Sequence, residues 1–227
     1  MTGTLAFIGG AQFGTDTSHH DDLFARGSEV LLLPTAKAYE DPGAEVSRAQ
    51  AHFDQLGVSV RVLPVYTRAD ALDPDIVEHA TTSGALYVSG GSPMHLRSVL
   101  KDSPLLDALV RQWRTGTTVA LAAESCPVLC SHMVDTRGGA FTVGLGLVTT
   151  MTVIPRFDTW SHDKRQRTIG LASEDLVVVG IDEVTALVRA PDGRWTEAGS
   201  GGVHVFEAGA SRAFDDLPTE LSSTGPA

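Results

Sequence analysis

One serine stands where an apolar strand should run into an apolar helix. The stretch is Val119-Ala120-Leu121-Ala122-Ala123-Glu124-Ser125-Cys126-Pro127-Val128-Leu129-Cys130. A nucleophile elbow has this layout, with a serine on a tight turn between strand and helix and small residues two before and two after it. Ala123 meets the first requirement. Pro127 stands at the second, where proline suits the opening turn of a helix. The helix N-terminus would offer backbone N–H groups and a positive dipole end to an oxyanion. The plain alternative is a serine that only caps the helix. Cys126 and Cys130 are the only two cysteines, and they read as reduced packing residues. Cys126 as a glutaminase nucleophile would put Glu124 and Val128 at the small positions, a poor fit. His19-His20-Asp21-Asp22 could suggest a metal, but four polar residues in a loop are more simply solvated. No metal and no cofactor are expected.

The elements that must position Ser125 can be read from hydropathy. Leu5-Ala6-Phe7-Ile8 is a buried strand running into Gly9-Gly10, and Val30 to Pro34 is a second. Ala44 to Leu56 is a helix stopped by Gly57, and Val58 to Val65 a third strand. Asp73-Pro74 opens a helix with a cap and an N1 proline. Ala85 to Ser89 is a strand entering Gly90-Gly91, followed by a helix from about Ser92-Pro93. Pro104 to Arg114 is helical, and Thr117 to Ala122 is a strand. Alternation of this kind predicts an α/β fold, a doubly wound, mostly parallel sheet with helices on both faces. Its ligands should sit at the carboxyl ends of the strands, where both Gly-Gly turns and Glu124-Ser125 fall. After Asp135 come short C-terminal β segments around one helix, His162 to Ala172, with a hairpin turn at Pro191-Asp192-Gly193-Arg194. Residues 1–210 are expected to form a single domain and residues 211–227 a mobile tail.

Four segments in order then resemble one family. Leu86-Tyr87-Val88-Ser89-Gly90-Gly91-Ser92-Pro93-Met94-His95-Leu96 is similar to the strand, Gly-Gly turn and helix of the dipeptidase E and cyanophycinase family of serine peptidases. Ala123-Glu124-Ser125-Cys126-Pro127-Val128 is matched to its Gly-Thr/Trp-Ser-Ala-Gly-Ala elbow. Gly144-Leu145-Gly146-Leu147-Val148 looks like its Gly-Leu-Gly-Leu-Leu stretch. Gly180-Ile181-Asp182-Glu183-Val184-Thr185-Ala186-Leu187 follows its Gly-Ile-Asp-Glu-x-Thr-Ala-Leu signature closely. The resemblance spans about residues 4–209 and implies the class I glutamine amidotransferase-like fold. It also implies that Ser125 is the nucleophile, with oxyanion donors from the backbone N–H groups of Gly91 and Cys126.

One departure matters for chemistry. The family's histidine lies in an Asn-Pro-His-Phe or Asp-Gln-His-Phe segment, and here that place reads Val153-Ile154-Pro155-Arg156-Phe157-Asp158. A guanidinium stays protonated and cannot take a proton from serine. His162 is the first candidate for a substitute base and His95 the second. His132 lies two turns along the Ser125 helix, about 10 Å away, too far to serve. Glu124 is a further candidate, though a neighbouring side chain normally points away. Alternatively, hydrolysis is lost and Arg156 clamps a carboxylate. Gly90, Ser92, Glu124, His95 and Arg156 are the expected substrate contacts. The expected function is hydrolysis of a peptide or amide bond next to an acidic residue. The alternative is an impaired homologue that binds a small acidic ligand in the same cleft.

Bulk composition narrows the partners. A net charge of −11 repels phosphate backbones, so no nucleic acid is expected. The longest apolar runs are strand-sized, far below the ~20 residues of a membrane span, and no basic N-terminal region precedes them. The expectation is a cytoplasmic protein with a small peptide or acidic small-molecule substrate and no membrane contact. A homodimer is left open.

Overall fold

The computed structural model describes residues 2–14, 23–24, 29–81 and 84–222. In chain order the elements are β1 (Leu5–Ile8), β2 (Glu29–Leu33), α1 (Pro42–Gln55), β3 (Ser59–Val62), α2 (Pro74–His79) and β4 (Ala85–Val88). Then follow α3 (Pro93–Leu100), α4 (Pro104–Arg114), β5 (Thr118–Ala122), a 3₁₀ segment (Ala123–Leu129), β6 (His132–Val134) and β7 (Phe141–Val143). The remainder is β8 (Met151–Pro155), α5 (His162–Gly170), β9 (Val177–Ile181), β10 (Thr185–Arg189), β11 (Trp195–Gly199), β12 (Val203–Glu207) and β13 (Ala210–Arg212). The helix starts follow cap chemistry. Asp41, Asp73, Ser92, Ser103 and Ser161 each accept a backbone N–H at the N-cap, and the first four are followed by proline.

Seven strands make the main sheet in the order β11-β10-β1-β5-β4-β2-β3. The central five, from β1 to β3 along that order, are parallel, and β10 and β11 join antiparallel. Successive residues of each parallel strand serve opposite faces. Leu5, Phe7, Leu31, Leu33, Val119 and Leu121 pack into one core with α3 and α4. Ala6, Ile8, Val30, Leu32, Ala120 and Ala122 pack into the other, around Phe24, Phe53 and Tyr87. Apolar residues on both sides explain why these strands read as continuous runs. Alanines on the second face leave room for its aromatic rings.

The short β segments close into a second sheet, β13-β12-β9-β8, with β8 and β9 parallel, while β6 and β7 form a separate hairpin. Phe157, Trp160 and Ile169 pack a third core against it. No helix among the described residues is long and apolar enough to cross a membrane.

The packed chain runs on past Ser211, where the sequence reading placed the start of a loose tail. Ala210–Arg212 pairs with β12, and Leu217 and Leu221 join the main core. Backbone carbonyls of Pro218, Thr219 and Glu220 accept from Trp195 Nε1, Arg189 Nη2 and Thr150 Oγ1 at 2.7–2.8 Å. Two isolated leucines in a polar run carry too little hydropathy to announce this. Replacing both Leu217 and Leu221 by alanine should lower the unfolding free energy by about 4 kcal/mol, read as a shift in the urea midpoint. A tail held loosely would show no shift.

Candidate functional site

Four parallel strand ends and their turns converge at one edge of the sheets. β5 ends at Ala122, and Ala123 turns the chain with φ +47°, a left-handed backbone that alanine adopts only under constraint. The Gly90 turn after β4 meets it directly. A Cβ added at Gly90 would stand 2.9 Å from Ala123 Cβ, so only glycine fits. β8 ends at Pro155, and Arg156 follows with φ +52°. Its N–H donates to Gly9 O at 2.9 Å, which ties the second sheet to the end of β1. Ala11, just beyond, is also left-handed at φ +53°.

Ala11, Ala123 and Arg156 line one cavity of about 270 Å³ with Gly90. Three strained non-glycine residues around one hollow mark it as the candidate site, because such strain persists only where packing imposes it.

The cavity walls carry balanced charge. Arg156 Nε donates to Glu183 Oε1 at 2.8 Å and Nη1 donates to Glu124 Oε1 at 3.2 Å. Burial alone would pull this guanidinium down, but the hydrogen bonds and charges of Glu124 and Glu183 hold it above its ordinary value. Glu183 is fixed in turn, since its N–H donates to Asp158 Oδ1 at 2.9 Å. Across the cavity Glu45 is 1% exposed and accepts from Gln12 Nε2 at 2.8 Å and from Arg48 Nη2. Lys37 also lines the cavity, with Nζ on Glu40 at 2.6 Å.

The expected site residues divide sharply. Gly90, Glu124 and Arg156 line the cavity. Ser125 does not. It is fully buried beneath the turn, and its hydroxyl donates to Ser89 O at 2.6 Å. The strained junction falls two residues earlier than the sequence reading placed it, at Ala123. Cys126 is fully buried, its Sγ 3.2 Å from both Ile8 O and Leu121 O, either of which can accept its one proton. Burial pushes the Cys126 thiol well up and the Cys130 thiol up to about 12. Neither thiol has the character of a nucleophile.

The remaining candidates have structural partners. Gly91, at φ +147°, backs onto Ala36, whose carbonyl would be 2.4 Å from an added Cβ. Ser92 caps α3 and accepts from His95 N at 3.3 Å. His95 Nε2 pairs with Tyr66 O at 2.8 Å and its ring packs on Tyr39. His162 opens α5 in solvent, its side chain 76% exposed and facing Asp163. None of these four residues lines the cavity.

Sequence reasoning missed Ala11, Gln12, Lys37, Glu45, Arg48, Ala123 and Glu183 as cavity residues. Lys37 and Gln12 follow strand ends, a signal that was available. Glu45 lies in the first turn of α1 and Arg48 one turn further on, and neither carried a signal. No group of three His, Cys, Asp or Glu side chains among the described residues could hold a metal. His19-His20-Asp21-Asp22 lies outside the described residues.

The chain has known relatives. Residues 8–193 match peptidase family S51. The chain belongs to that family. Its relatives in S51 include the cyanophycinase of Nostoc sp. (strain PCC 7120), 24% identical over 234 residues, covering 96% of this chain and 74% of that one. The cyanophycinase of Geminocystis herdmanii is 23% identical over 229 residues, covering 92% and 82%. The solved peptidase from an acI-B1 Actinobacterium superposes with a TM-score of 0.81 at 27% identity, covering 94% and 98%.

Two measurements test the burial of Ser125 and of the two cysteines. Ser125→Ala should cost about 1–3 kcal/mol of stability, because it strands the buried Ser89 carbonyl. Native protein should take up no thiol reagent at pH 8, whereas urea-unfolded protein takes up two equivalents by mass spectrometry. Labelling of the native chain would contradict the burial of Cys126 and Cys130.

Proposed function

We propose that this member of peptidase family S51 binds a small carboxylate-bearing, peptide-like ligand in the Arg156 cavity without hydrolysing it. The observation that carries this reading is Ala123 at the strained strand-end turn. Laid on that turn, the family's Gly-Thr/Trp-Ser-Ala-Gly-Ala pattern falls on Leu121-Ala122-Ala123-Glu124-Ser125-Cys126. The serine position is then a methyl group, which cannot attack a carbonyl. The histidine position is Arg156, which cannot accept a proton. Neither half of an activated nucleophile is supplied, and Ser125 beneath the turn is screened from any substrate.

What remains is a shaped, charged hollow. Lys37, Arg48 and Arg156 face Glu45, Glu124 and Glu183 around the cavity. Arg156 is about half exposed, with a side-chain exposure of 46%, so its two bridges can be exchanged for a ligand carboxylate at small cost. The acids then suit the ligand's amino group. Peptides with an acidic residue carry both kinds of charge, in keeping with the substrates that the family resemblance implies.

The test pairs calorimetry with turnover on an aspartyl dipeptide. Native protein should bind it and release no free amino acid, and Arg156→Ala should weaken binding by at least about tenfold, the loss of one charge-assisted hydrogen bond. The Ala123→Ser, Arg156→His double variant should gain slow hydrolysis that Ala123→Ser alone lacks. Turnover by native protein, with a fluorophosphonate adduct mapped to Ser125, would restore the hydrolase reading and end this one.

A further inference from the structure

The β10–β11 hairpin holds a cation with no counter-ion among the described residues, at the end of the sheet opposite the Arg156 cavity. Arg189 pairs with Leu5 at the start of β1, whereas Ala186 pairs with Ile8 at the cavity end. Three residues at about 3.3 Å each separate those two rungs by about 10 Å. Arg189 is 9% exposed. Its Nη2 donates to Thr219 O at 2.7 Å, and its Nε is buried with no partner. No ion pair among the described residues includes it. A guanidinium cannot discharge itself by losing a proton, and burying one unpaired is costly, so a counter-charge belongs beside it.

The fold leaves room for one. Arg189 lines a cavity of about 360 Å³ whose apolar wall is Trp195, Phe214 and Leu217. The Trp195 indole N–H is spent on Pro218 O at 2.8 Å, so the ring offers an apolar surface. Asp192 is neutralised by Arg194 at 2.7 Å. Asp215 and Glu220 line the same cavity and are exposed. Two acids at the rim would repel a plain anion but would hold an ammonium group. Buried cation, apolar wall and acidic rim together match the three parts of an apolar amino acid.

We propose that this second cavity binds a small zwitterion of the amino-acid type. Its carboxylate sits on the Arg189 guanidinium, its side chain rests against Trp195 and Phe214, and its ammonium faces Asp215 and Glu220. The guanidinium fork takes a carboxylate through two parallel N–H donors.

The readout is the ¹H–¹⁵N resonance of the Trp195 indole in the full chain, assigned with Trp195→Phe, with Trp113 and Trp160 as internal references. The probes are L-phenylalanine, 3-phenylpropionate, which lacks the ammonium, and phenethylamine, which lacks the carboxylate. Phenylalanine should move the Trp195 resonance saturably, with a Kd of about 1 mM or below, 3-phenylpropionate should bind several-fold more weakly, and phenethylamine should not bind. Arg189→Lys, which keeps the charge but loses the fork, should weaken phenylalanine by about tenfold. The inference fails if phenylalanine gives no saturable shift up to about 10 mM. It fails equally if phenethylamine or 3-phenylpropionate binds as tightly as phenylalanine, or if Arg189→Lys binds it unchanged. The probe series on the unaltered chain decides the matter even if a variant at Arg189 folds poorly.

Discussion

Arg156 is the side chain on which the geometry of the site depends. It leaves the end of β8 in the second sheet, takes a backbone bond to Gly9 at the end of β1, and bridges Glu124 after β5 to Glu183 after β9. One residue thus fastens both sheets across a single cavity. The fastening is not a large source of stability, because a half-exposed ion pair contributes little once water screens it. Its effect is to fix positions. In a chain of net charge −11, Glu124 and Glu183 would otherwise repel one another across the hollow. The guanidinium pairs with both and offsets that repulsion.

Beneath that surface the support is buried. Ser125 ties the β5 turn to the β4 end through Ser89, and the Cys126 thiol reaches the ends of β1 and β5. These buried bonds, with Gly90 pressed against Ala123, force a backbone conformation on Ala123 that costs about 1–3 kcal/mol. A strained turn of this kind serves a nucleophile by lifting its side chain clear of the sheet. On the proposed reading a methyl group stands there, and the strain is retained without the attacking atom. Scaffold and catalytic atoms would then be separable in this chain.

That separation explains what the sequence could and could not disclose. Continuous apolar runs such as Leu5–Ile8 and Val119–Ala122 announced strands buried on both faces, and the Gly9-Gly10 and Gly90-Gly91 turns pointed to the edge that carries the Arg156 cavity. The arginine in place of the family histidine was legible from its proline and phenylalanine neighbours. The register at the elbow was not. Val119-Ala120-Leu121-Ala122-Ala123 stays apolar across the end of β5, so hydropathy does not mark where the strand stops. Serine then looked like the junction because it is the residue type that catalysis needs. Only backbone geometry separates Ala123 at the turn from Ser125 beneath it. Glu45 and Arg48 were invisible for a different reason, since nothing along a helix says which strand end it will face.

The two arginines show how context gives one residue type opposite roles. Arg156 is half exposed and has two carboxylate partners, so its charge is satisfied and its part is to organise neighbours. Arg189 is nine-tenths buried and, among the described residues, is bonded to one carbonyl, so no carboxylate there offsets its charge. Desolvation grows with burial while the compensation available from the chain shrinks. A carboxylate arriving at Arg156 must displace Glu124 or Glu183, and the exchange is nearly neutral in electrostatic terms. A carboxylate arriving at Arg189 displaces nothing and removes an uncompensated buried charge. Per ion pair formed, the second site is therefore the stronger anchor, even though the first occupies the edge where folds of this type place their ligands.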